Sequence, residues 1–194
     1  MVAPDGLTVL SDFSTNPAAL FQREGGPQLE TETTDVKLVL QDGRELPARF
    51  VLRDTELDLA FVAPLEPASA LPAVRFEKGT VPALTDELVF LGQLGKSLGR
   101  EVAVTAGRVR AVVKKPRTFV VPSSLDGLNA LGGPAIDAKG RPVGLVVLRR
   151  TSSRVEESSG LRDLYDAMAA VVVTAADIQA AAAQAAAARD KPAG

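Results

Sequence analysis

Three local patterns could carry chemistry on residue type and spacing alone. Gly92-Gln93-Leu94-Gly95-Lys96-Ser97 ends like a phosphate-binding loop, in which backbone N–H groups and a lysine cradle an anion. That loop needs a glycine five residues before Gly95, and Phe90 stands there. The segment also leads into another strand, with no helix whose N-terminus would hold phosphate, so the sequence predicts a turn. Lys114-Lys115-Pro116-Arg117 is a basic cluster that could meet an anion, although small clusters of this kind usually mark solvated hairpin ends. Ser123 or Ser124 with Lys114 or Lys115 is a formal Ser–Lys pairing for acyl transfer. It has no evident orienting third group, and its lysine would need desolvation to act as a base.

What the chain lacks is more decisive. Its 194 residues contain neither histidine nor cysteine, which removes disulfide frameworks, Cys/His metal centres, redox thiols and every mechanism whose general base is imidazole. No cofactor or metal is implied. With 22 Lys+Arg against 24 Asp+Glu the net charge is −2, so there is no global positive field to gather nucleic acid. At 46% apolar and 24% charged, the composition is that of an ordinary soluble globular domain. The longest apolar run, Ala167 to Val173, is far short of the roughly 18 to 20 residues that span a bilayer. No basic and then apolar leader opens the sequence.

The elements that must position any site are short β-type segments rich in Val, Leu and Phe, separated by Gly, Pro and Asp. The pattern predicts strands at 7–11, 36–40, 46–52, 59–63, 88–91, 101–106, 109–113, 118–121, 134–137, 143–148 and 170–174. Gln41-Asp42-Gly43-Arg44 and Asp137-Ala138-Lys139-Gly140 close hairpins, the glycines accepting positive φ. This is an antiparallel meander. Four prolines between Pro64 and Pro82 predict an extended connector and a boundary between two β-lobes. Thr15 to Thr34 and Thr151 to Ser159 read as loops, the first with a short helical turn near Pro17 to Gln22. Ten alanines among residues 175–188, after a Thr174-Ala175-Ala176-Asp177 capping box, predict a C-terminal helix packed through Ile178.

Three segments in this order resemble the trypsin-like serine peptidases of the bacterial HtrA type. Val36 through Val62, with the step Asp58-Leu59-Ala60, looks like the N-terminal-lobe hairpin that carries the triad acid. Asn129-Ala130-Leu131-Gly132-Gly133-Pro134, followed by Val143-Gly144-Leu145-Val146, is similar to the segment that carries the nucleophilic serine. Asp5 through Ser14 resembles the segment ending in the catalytic histidine. Phe90 to Val109 and Val172 to Ile178 fit the second barrel and closing helix. The resemblance implies an all-β fold, a double antiparallel β-barrel with a C-terminal α-helix. Its domains are then an N-terminal β-lobe (1–76, a truncated barrel), a C-terminal barrel (77–174) and a helix and tail (175–194). Only about four of the first lobe's six strands are visible. Either the sequence is a fragment of a longer chain, periplasmic or secreted if it lacks its signal peptide and otherwise cytoplasmic, or the first barrel is open at an edge that could take a partner strand.

By the same resemblance the triad positions are Ser14, Asp58 and Leu131, and only the acid survives. A serine hydroxyl needs a base oriented by a carboxylate, and Leu131 has no atom that attacks a carbonyl. The oxyanion-hole region is Asn129, Ala130 and Leu131; Asn129 replaces a glycine whose N–H is one of the hole's donors, and a relaxed loop is expected. Asp58 must then be satisfied otherwise, by N–H groups near Ser14 or by the Ser14 hydroxyl, unless it merely starts a strand and faces water. The expectation is a pseudoprotease that binds a peptide or protein through the inter-lobe cleft or an open sheet edge. The competing readings are a serine endopeptidase with an unconventional site and a purely structural domain of a larger assembly.

Overall fold

The computed structural model describes residues 1–16, 33–66, 68, 70–123, 130–150 and 168–189. Ten strands and one α-helix are built from them, in two compact units: Met1–Lys78 with Ala176–Gly194, and Gly79–Ala175. Asn129 and Ser124, the helical turn near Pro17 and the loop Thr151 to Ser159 lie outside the described residues.

The first unit holds β1 (Thr8–Ser11), β2 (Lys37–Val39), β3 (Glu45–Asp54) and β4 (Leu59–Pro64). They form one antiparallel sheet in the order β1-β4-β3-β2, so among the described residues it is open, with β1 and β2 at its edges. The order explains the sequence of β4. As an inner strand it is covered on both faces, and Leu59, Ala60, Phe61, Val62 and Ala63 are all buried. An uninterrupted apolar run is what such a position demands. Arg44 N–H bonds to Asp42 Oδ1 at the tip of the β2–β3 hairpin, as the Asp-Gly turn requires.

The second unit is a closed six-stranded barrel in the order β10-β7-β6-β5-β8-β9. Its strands are β5 (Glu87–Gln93), β6 (Val102–Val113), β7 (Phe119–Pro122), β8 (Pro134–Asp137), β9 (Pro142–Arg150) and β10 (Met168–Thr174). Leu88, Phe90, Val109, Val120, Ala135, Val143, Val146 and Val172 fill the interior. The two strands expected at 101–106 and 109–113 are a single strand, β6. Gly107 is extended and makes no turn, and the irregularity falls instead at a bulge between Val109 and Ala111. Gly92 to Ser97 is the end of β5 and a turn, with a single 3-10 turn at Lys96–Leu98.

Helix α1 (Ala175–Arg189) belongs, from Ala176 on, to the first unit. Ile178, Ala181 and Ala185 are its buried residues past the first turn, at the three- and four-residue spacing of one helix face. Its last turn is tied to that unit twice: Arg189 Nη1 lies 2.6 Å from Asp5 Oδ2, and Arg49 Nη2 donates to the Arg189 carbonyl at 3.0 Å.

Candidate functional site

In the first unit Asp58, the acid position that the resemblance implies, is built by the tight turn between β3 and β4. Asp54 Oδ1 accepts the Leu57 N–H at 3.0 Å, Leu57 is buried, and Asp58 takes φ of +55°. Aspartate enters this left-handed region more readily than most side chains, and the conformation turns its carboxylate toward the end of β1. There Oδ1 accepts the Phe13 N–H at 2.8 Å and Oδ2 accepts the Ser11 hydroxyl at 2.5 Å. The Asp58 carbonyl takes the Asp12 N–H at 3.0 Å. Asp58 does not stand in water as a mere strand opener. It pins the 3-10 turn Asp12–Ser14 to the sheet.

The segment ending in Ser14 is thus brought to Asp58, with an N–H one residue before Ser14 as donor. Ser14 itself is exposed, at the last position of the turn. Ser11, which the sequence reading did not single out, is completely buried. The one available signal is indirect: a carboxylate in a chain without histidine needs other donors, and a polar residue on a buried strand face is a candidate. Beside this pair sits a second one. Asp12, 9% exposed, forms an ion pair with Arg53, whose guanidinium stacks 4.0 Å over the Phe50 ring and donates to Thr15 Oγ1 at 3.0 Å. Only the carboxylate of this pair is withdrawn from water, the Arg53 side chain being 34% exposed, and a buried charge persists when it is paired in this way.

In the second unit Leu131, which the resemblance sets at the nucleophile position, is half-buried and follows the buried Ala130. The loop is held by its own amides. Gly132 N–H donates to the Val146 carbonyl at 2.8 Å, Gly133 N–H to Ala130 at 2.9 Å, and Val146 N–H returns to Gly133 at 3.0 Å. Gly132 has φ of +74°, and a Cβ on Gly133 would lie 1.9 Å from the Leu91 carbonyl oxygen. Gly132 thus meets a backbone requirement of the turn and Gly133 a packing one, with or without a serine beside them.

The Ser–Lys alternative is not assembled at Ser123. Its Oγ accepts the Arg108 N–H at 3.1 Å and its N–H donates to the Arg108 carbonyl at 2.8 Å. Register places Phe119 opposite Val113 and Pro122 opposite Val109, so Ser123 lies four residues, about 13 Å at ~3.3 Å each, beyond the strand end next to Lys114. No group of three or more metal-ligating side chains occurs among the described residues, and no helix there is long and apolar enough to cross a membrane.

The sequence profile of the trypsin-like peptidase domain matches residues 9–145. The chain belongs to the trypsin-like peptidase domain family. Its fold is shared with the MamO protease domain from Magnetospirillum magneticum in its apo form, at 16% identity and a TM-score of 0.63 over 92% of this chain and 84% of that one. It is shared also with the serine endoprotease from Yersinia pestis, at 17% identity and a TM-score of 0.66. That match covers 98% of this chain and 56% of the other. No curated protein matches. Identities this low speak for the fold alone: a closed barrel, a half-barrel sheet and a terminal helix on the trypsin-like plan.

Proposed function

We propose that this member of the trypsin-like peptidase family is non-catalytic and works by holding a peptide or protein segment. The observation that carries the reading is that residues 9–145, the whole stretch matched to the family, contain no imidazole for Asp58 to orient. The carboxylate is instead bonded within its own unit by Ser11 and Phe13. With Ser14 and Leu131 at the other two positions, base and nucleophile are both missing. Losing either costs on the order of 10⁶ in kcat, and the losses do not add because the members act together. From a typical ~10 s⁻¹ about one turnover per day remains. A binding role uses the scaffold without needing the triad, and folds of this kind carry many functions.

A fluorophosphonate serine probe tests the reading, with no labelling above a heat-denatured control expected. Stoichiometric labelling of the native chain would overturn it. Restoration is the complementary measurement: Ser14→His with Leu131→Ser, with and without Asn129→Gly, assayed on casein. Cleavage by the double variant alone places the defect in the missing groups. Cleavage only with the third change places a further defect at Asn129.

A further inference from the structure

β6 is longer than its partner on one side. β5 pairs with it along its first seven residues, from Gln93↔Val102 to Glu87↔Arg108, whereas β7 pairs only from Val109 onward. The phase of the ladder decides which backbone groups are left over. Leu94 N–H donates to the Glu101 carbonyl, and the same register sets Gly92 against Ala103 and Phe90 against Thr105. In an antiparallel pair the bonded residues alternate, so odd-numbered residues of β6 face β5 and even-numbered ones face away. Arg108 confirms the phase, since its carbonyl and N–H bond outward to Ser123. The N–H and C=O groups of Val102, Val104 and Ala106 therefore point off the sheet, without a strand partner among the described residues.

The side chains on this edge are as unusual as its backbone. Val102 and Val104 are 69% and 65% exposed, the two most exposed large apolar residues described, and Leu98 in the adjoining turn is 60% exposed. Edge strands are ordinarily blunted by a charge, a proline or a bulge. Here the six residues before Arg108 contain none of these, and the bulge comes only after Val109. Toward the other end the character changes. Residues 102–117 carry Arg108, Arg110, Lys114, Lys115 and Arg117 and not one carboxylate. The acids beside it are Glu87, across the ladder from Arg108, Asp86, whose carbonyl takes the Val109 N–H at 2.9 Å and whose carboxylate accepts the Ala83 N–H, and Glu101 before the strand. No salt bridge joins Arg108 or Arg110 to a carboxylate among the described residues, and Arg108 spends one donor on the Thr85 carbonyl at 3.0 Å.

We infer that the edge of β6 from Val102 to Gly107 receives an extended, acidic-then-apolar peptide by antiparallel strand addition. The inference rests on the binding reading above and names a surface and a ligand class for it. Backbone groups at 102, 104 and 106 supply the ladder, while β-branched residues of the peptide cover Val102 and Val104. Because the added strand runs antiparallel, its N-terminal end lies toward Arg108 and Arg110, and that is where its carboxylates belong. A second copy of β6 fits less well. Two-fold pairing about Val104 sets Arg108 of one copy against Arg100 of the other, and like charges directly opposite are destabilising.

The probe is a fluorescein-labelled peptide, Glu-Asp-Thr-Val-Thr-Val-Thr-Val, titrated with the full chain and read by anisotropy. A second peptide begins Lys-Lys in place of Glu-Asp. The acidic peptide is expected to bind and the lysine peptide to bind at least about tenfold more weakly, a difference of ~1.4 kcal/mol. Val104→Pro removes one outward N–H and no bond to β5, so it should weaken the acidic peptide about tenfold while thermal unfolding stays two-state and near wild type. Arg108→Glu with Arg110→Glu should invert the preference between the two peptides. Val104→Lys is a second blocking variant should the proline variant unfold. No binding of the acidic peptide, or binding indifferent to both Val104 variants, overturns the proposal. So does a concentration-dependent dimer abolished by Val104→Lys, which would give the edge to a second copy. None of these outcomes touches probe labelling, so this inference and the non-catalytic reading fail separately.

Discussion

Ser11 Oγ and Asp58 Oδ2 lie 2.5 Å apart across 47 residues of sequence, and with the Phe13 N–H they hold a carboxylate inside a unit that has no histidine to give it. Ser11→Ala, at a fully buried strand position, takes a charge-assisted donor from Oδ2 of the half-buried Asp58. The expected loss is about 1–3 kcal/mol of stability, read from the urea midpoint at unchanged slope. Asp58→Asn should cost a similar amount, since an amide cannot accept at both atoms. A midpoint unchanged by Ser11→Ala would show that the bond carries no net stability.

Gly133 and Gly140 separate two reasons for glycine. A Cβ at Gly133 would sit 1.9 Å from a backbone oxygen, whereas at Gly140 nothing lies within 4 Å and only φ of +75° is unfavourable. Gly140→Ala should cost about 1–2 kcal/mol, the left-handed penalty alone. Gly133→Ala should cost well over that and shift the turn carrying Leu131, seen as altered amide shifts at Gly132 and Val146. Equal thermal midpoints for the two variants would refute the distinction.

Ile178 is the one large side chain on the buried face of α1, and its neighbours there are alanines. Ile178→Ala should destabilise by about 2–5 kcal/mol, because small residues leave little to collapse into the cavity. Arg189→Ala, at a half-exposed ion pair, should cost under about 1 kcal/mol. Denaturant titrations of both variants check the order.

Three aspartates should contribute to acid sensitivity. Burial pushes the Asp5 carboxyl up, but the Leu7 N–H and Arg189 outweigh it and hold it below its ordinary value. Asp137 behaves alike, with the Arg141 N–H and guanidinium prevailing over burial. The Arg44 N–H and guanidinium lower Asp42. A carboxyl depressed in the folded state contributes fully above its unfolded pKa of about 4 and loses that contribution as pH falls through the lower folded value. The thermal midpoint should therefore be flat near neutrality and fall below about pH 4. Asp137→Asn should lower it near neutrality and flatten the fall.

Much of this architecture is legible in the residues. The apolar run at Leu59 announces an inner strand, and the ten alanines announce α1. The Asp-Leu-Ala and Gly-Gly-Pro steps mark two tight turns that the fold does contain. Other features are not local. Gly107 reads as punctuation and splits β6 in two, although in the fold a glycine there extends with its neighbours. Ser11 carries no sign that its hydroxyl will meet a residue 47 positions away. Alanine buries the same small area on every helix face, so the sequence of α1 does not say which unit receives it. That part of the edge of β6 has no strand partner among the described residues depends on the length of β7, which no residue of β6 records.

Helix α1 gives the first unit a seam in time as well as in sequence. Residues 1–78 leave the ribosome before the barrel does, but the Ile178 face that packs on their unit is made almost a hundred residues later, after the whole barrel. The amino-terminal sheet must wait, half finished, until its last piece arrives, and such a distant closure is slow compared with local pairing. The barrel has no such dependence and is free to set first, so folding of this chain should proceed against the order of its synthesis.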